Sequence, residues 1–133
     1  MALTRGLRNN NPLNIRKGND WQGEIKGSDQ SFETFQSMAY GYRAAIKILY
    51  KYYHDYGCNT IGKIISRWAP NNENNTERYI ATVSRRTCIA RGRKLAWSEG
   101  EICAVVAAMS YVENGVSADV DDVKQGWKLA KEQ

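Results

Sequence analysis

Glu113 is the acid whose position carries the most chemical information. At 100° per residue, the eleven steps from Ile102 to Glu113 return to within about 20° of the starting direction. Glu113 therefore continues the apolar stripe Ile102, Val105, Val106, Met109, Val112 at its C-terminal end, just before the stop signal Asn114-Gly115. A carboxyl group placed there is partly removed from water and faces the negative end of the helix dipole. Both effects disfavour its charged form, as a general acid working near neutral pH requires. The competing reading is a helix-end glutamate turned out to solvent.

Other candidates are weaker. Glu73, in the asparagine-rich loop APNNENNT, is either a second active-site acid or a solvated residue favouring the next helix N-terminus. Glu33 lies between Phe32 and Phe35 on the face opposite Phe32, and reads with Glu24 as exposed decoration of a strand edge. His54 sits in a tyrosine-rich stretch with no Ser or Cys placed to pair with it, and reads as structural. Cys58, Cys88 and Cys103 have no CxxC spacing, so with one histidine no zinc set arises; neither metal nor cofactor is expected.

The elements that must position these groups follow from periodicity. Residues 21–26 and 31–35 flank the turn-rich Gly27-Ser28-Asp29-Gln30 and predict a small hairpin; the first 20 residues read as an ordered loop or short turn. Ala45, Ile48, Leu49, Tyr52, Tyr53 and Tyr56 predict a helix from Ser37 to Gly57. Further helices are predicted over 60–68, from Asn75 as N-cap to about 87, from Ser98 to 114 through the Ser98/Glu101 capping box, and from Ser117 to the end. The fold class is mostly α with a small β-hairpin, in one domain spanning 1–133.

Composition agrees. With 42% hydrophobic and 25% charged residues and 14 aromatics, 133 residues can bury a core without staples. The longest apolar run, at 102–109, is too short to span a bilayer, and no secretory signal is seen. The net charge of +5 favours acidic partners or simply solubility. Arg85, Arg86, Arg91, Arg93 and Lys94 form the one basic cluster; a nucleic-acid binder would use it, but no helix-turn-helix or stacking motif accompanies it.

RGLRNNNPLNIR at 5–16, W-x-G at 21–23, F-x-x-F at 32–35, G-x-R-A at 41–44 and WAPNNENNTERY at 68–79 together resemble a family of small phage and prophage muralytic proteins. These are lysozyme-like domains acting on peptidoglycan. The order NNPLNIR, WQG, helix, WAPNNENNTERY is also similar to bacterial glucosaminidase domains. In those domains a helix ending in the catalytic glutamate comes first; here VVAAMSYVENG at 105–115 looks like that helix but comes last. The resemblance implies a circularly permuted lysozyme-like order with Glu113 as the acid.

The resemblance implies cleavage of the β-1,4 glycosidic bond of peptidoglycan by a monomer. The protein would be made in the bacterial cytoplasm and act on the wall once released or carried by a virion. The alternative is a non-catalytic wall-binding or virion module on the same fold. Tyr79 matches the tyrosine of the WAP…Y segment, and either lines the site or packs in the core. Asn10, Asn11 and Asn14 either hydrogen-bond N-acetyl groups or close their own loop. Trp21 and Trp68 are sugar platforms or buried aromatics, and Asn75 is a further candidate contact. Permutation requires the 9–14 loop, the 21–35 hairpin and the 71–79 segment to border one groove at Glu113. Two departures stand out: Leu13 replaces a family glycine, so that turn cannot require positive φ, and Cys88 replaces a glycine common after the third helix.

Overall fold

The structure, a computed structural model, describes residues 3–71 and 75–132. It is mostly helical with one two-stranded antiparallel hairpin, as the periodicity predicts. The hairpin pairs β1 (Glu24–Ile25) with β2 (Thr34–Phe35) in the register Glu24↔Phe35 and Ile25↔Thr34. It is shorter than expected because the residues before β2 pair elsewhere. Lys17 N–H donates to Ser31 O, Glu33 N–H donates to Ile15 O, and Arg16 bridges Phe32. The N-terminal region read as a loop or turn contains a one-turn helix, α1 (Arg5–Arg8), capped by the Thr4 hydroxyl.

Five longer helices follow: α2 (Met38–Asp55), α3 (Ile61–Trp68), α4 (Thr76–Thr87), α5 (Glu99–Asn114) and α6 (Val120–Lys131). Most begin at a side-chain cap: Thr60 accepts from Lys63 N–H, Asn75 from Arg78 N–H, and Ser98 from Glu101 N–H. The Ser98 box closes differently from the sequence reading. The Glu101 carboxylate accepts from Ala96 N–H and Arg93 instead of reaching back to Ser98. α4 ends on Cys88 at φ +59°, the left-handed position where a family glycine was expected. Leu13 is fully buried with ordinary φ, and positive φ falls on Asn10 and Asn14 instead.

The core is one cluster. α5 supplies Ile102, Val105, Val106 and Met109 to it and touches α1, α2, α4 and α6. The most extensive helix pair is α2 with α6. Gly126 permits that approach: a Cβ there would lie 2.6 Å from Tyr42 Cβ and 3.0 Å from Ala39 O. No described helix is long and apolar enough to cross a membrane.

Glu33 corrects the sequence reading. It is only 4% exposed, not edge decoration. Strand alternation puts Glu33 on the same face as Phe35, and Phe35, not Phe32, marks the core side. The basic cluster is largely engaged as well. Arg91 pairs with Glu77, Arg93 with Glu101, and Arg86 lies over the Tyr111 ring. All three cysteines are free; Cys103 is half-buried, and burial followed by the charge of Glu99 pushes its thiol up to about 11.

Candidate functional site

Glu113 sits half-buried on the last turn of α5, and two side chains distant in sequence hold its carboxyl group. Asn14 Nδ2 donates to Oε1 at 2.9 Å, and the Tyr79 hydroxyl donates to Oε2 at 2.9 Å. Each oxygen keeps a second lone pair, so one can still carry or release a proton. Tyr79 is 6% exposed. Burial, then the Glu113 charge, then the hydrogen bond to it raise the phenol far above its ordinary range. Tyr79 therefore stays protonated and remains a donor throughout the neutral range.

The asparagines of the 9–14 loop divide the work of building this site. Asn9 donates to Asp29 in the hairpin turn, and Asn10 Nδ2 donates to Phe35 O. Asn11 is fully buried: its amide donates to Ile15 O and Glu33 O and accepts from Ile15 N–H. Those bonds weld the loop to the hairpin and leave Asn11 nothing to offer a ligand. Asn10 faces a different depression, beside Leu7 and Ser117. Asn14 alone of the candidate asparagines in this loop reaches Glu113, from φ +54°, a conformation asparagine tolerates better than most residues. Its Oδ1 is buried without a partner.

Two surface concavities, of about 410 and 420 Å³, meet at Glu113. The first is bordered by Asn14, Arg16, Phe32, Tyr52 and Trp68. The second is bordered by Asn75, Arg78, Tyr79, Thr82 and Tyr111. The loop and the hairpin thus border the first concavity and the start of α4 the second, with Glu113 of α5 in the wall of both. Trp68 stands edge-on to Tyr52, with centroids 6.3 Å apart, on the wall of the first concavity. Trp21 packs half-buried against the core, with its ring N–H unpartnered. Glu73 lies outside the described residues.

The sequence is 44% identical over 130 residues to Protein P5 of Pseudoalteromonas phage PM2, covering 93% of this chain and 80% of that protein. The chain belongs to the family of that phage protein. No family model matches it.

The sequence reading passed over one residue central to the site. By type and position Asn114 reads only as a helix stop, yet it is buried beside Glu113. Its Nδ2 donates to Pro12 O at 2.8 Å and Ser110 O at 3.0 Å, and its Oδ1 accepts from the Thr4 hydroxyl at 2.7 Å. Asn114 pins the N-terminal segment to the end of α5, and so sets Asn14 against Glu113. Gly6 lets α1 come close enough, since a Cβ there would lie 2.8 Å from Asn114 Oδ1. No local pattern marks such a residue. The only hint in the sequence was an amide next to the best candidate acid.

Proposed function

We propose that this phage-related protein cleaves the β-1,4-linked glycan of peptidoglycan as a lytic enzyme on a lysozyme-like domain, with Glu113 as its single general acid. One observation carries this reading: a half-buried carboxyl group, gripped by Asn14 and Tyr79, lies where two concavities meet. A glycan laid along both would pass its linking oxygen over Glu113. Protonation of that oxygen by Glu113 breaks the bond to the anomeric carbon, and positive charge develops on the sugar ring. Tyr79, held neutral, lines that position and stabilises the charge. Among the described residues Glu113 is the one carboxylate bordering the groove, and in this reading the substrate's own N-acetyl group or 6-hydroxyl takes the counter-role. In the second case the hydroxyl proton returns to the Glu113 carboxylate, which restores the acid and leaves an anhydro sugar.

The test is mass spectrometry of muropeptides after digestion of purified peptidoglycan. Glycan fragments are expected from the native chain, and Glu113→Gln should lower their rate of release by at least about 100-fold. Its circular dichroism and melting temperature should match the native chain. An undiminished rate in the folded variant removes Glu113 from the reaction. Tight wall binding with no fragments, even from the native chain, makes the protein a wall-binding module.

A further inference from the structure

A separate concavity, of about 370 Å³, lies across α2 from Glu113. Ile46, Lys47 and Tyr50 of α2, Trp127 and Lys131 of α6, and Trp97 border it. On the α2 helical wheel, residues 46, 47 and 50 fall within an arc of about 100°, while Ile48 and Tyr52 of the Glu113 groove point the opposite way. The two sites therefore share no wall.

The chemistry of this concavity is aromatic and cationic. Trp97 meets Trp127 at 5.9 Å and a 37° tilt, and Tyr50 meets Trp97 edge-on at 5.3 Å and 79°. Tyr50 is 48% exposed and Trp97 half-buried, while Trp127 is buried beneath them, so the corner opens to solvent on its Tyr50 side; the His54 ring packs beside both, 4.0 Å from Tyr50 and 5.6 Å from Trp97. Lys47 and Lys131 make no ion pair with any described residue. One turn before Lys47 lies Arg43, a buried arginine whose Nε has no partner. Burial, then the charge of Arg43, pushes the Lys47 ammonium below its usual range. Lys47 and Lys131 thus border a concavity to which no described acid contributes, and such a site favours an anionic ligand.

We propose that this concavity is a separate, non-catalytic site for an anionic saccharide: a sugar ring against the Tyr50–Trp97 corner, with its carboxylate or phosphate between Lys47 and Lys131. The tilts between the rings favour a saccharide. They leave no parallel pair of faces to sandwich a flat base, whereas a puckered ring presents C–H groups in several directions to rings set at an angle. The site stands whether or not Glu113 cleaves glycan. Only its consequence, a grip on one strand while another is cut, rests on that reading.

The experiment titrates the full chain with N-acetylmuramic acid, N-acetylglucosamine, glucose 6-phosphate and adenosine monophosphate, following the indole N–H signals by NMR. N-acetylmuramic acid should shift Trp97 and Trp127 saturably. N-acetylglucosamine, which lacks the carboxylate, should bind at least about tenfold more weakly. Response to glucose 6-phosphate assigns the anion as phosphate, and response to the muramic acid alone assigns it as carboxylate. Lys47→Gln with Lys131→Gln should erase the preference while the spectrum stays folded, and added salt should weaken binding to the native chain. The proposal fails if the neutral sugar binds as well as the acid, if the double variant binds like the native chain, or if the nucleotide binds more tightly than either anionic sugar. It fails equally if shifts appear only at Trp68, or if Trp97 and Trp127 do not move.

Discussion

Glu33 is a carboxyl group placed where a core residue would normally sit. Burial, and after it the charge of Glu24, raises its pKa, while Lys17 and Gly18 N–H pull the other way. A carboxyl with a raised native pKa holds its proton more tightly folded than unfolded. Its stabilising contribution is full below the unfolded value of about 4.3 and is lost as pH rises through the native value. Glu33→Gln keeps the shape and cannot ionise. Its melting temperature should exceed that of the native chain at pH 7, with the gap closing toward pH 4 in calorimetric scans. A gap that does not change with pH would mean that Lys17 and Gly18 compensate the charge in full.

Among the elements, helix ends were the most legible part of the sequence, because a cap is a local device. Asn75 and Ser98 each bond within three residues of themselves, so type and spacing sufficed to find them; Thr60 works the same way, although the sequence pattern places it inside its helix. Cys88 shows where such a device is imperfect. The end of α4 needs a left-handed residue, which costs a side-chain-bearing residue about 1–2 kcal/mol, while glycine costs about 0.5–1 kcal/mol in chain entropy. Cys88→Gly should therefore stabilise the protein by roughly 0.5–1 kcal/mol, read as a rise of about 2–4 °C in melting temperature. An unchanged or lower value would show that the weak thiol contact to Arg85 O, at 3.8 Å, outweighs the backbone gain. Glu113 was legible for the same local reason, through the stripe of its own helix. The roles within the asparagine loop were not: Asn11 and Asn14 are alike in type, and only tertiary contacts make one a weld and the other a partner of Glu113. Trp21 and Trp68 are likewise both half-buried, and only contacts with elements remote in sequence put Trp68 on the wall of the first concavity.

For the molecule as a whole, the groove exists because residues from opposite ends of the chain meet. Asn14 and Glu113 are 99 residues apart, Thr4 and Asn114 are 110 apart, and Pro12 and Asn114 are 102 apart. Local stability cannot hold such contacts together; they depend on how firmly the N-terminal segment docks on α5. Asn114→Ala removes the donor to buried Pro12 O and the acceptor for Thr4, which should cost roughly 2–3 kcal/mol by urea unfolding. The loss should also be uneven, because the helices on the far side of α5 do not use these bonds. In native-state hydrogen exchange, the Asn11, Ile15 and Phe35 amides, which bond within the loop and hairpin, should speed up most. The Ile64 and Ala69 amides of α3 should speed up least and keep nearly their native protection. Equal acceleration at both sets of amides would mean that the segment and the helices unfold as one unit. The docking at Asn114 would then be part of global stability, not the separate hinge on which the position of Asn14 against Glu113 depends.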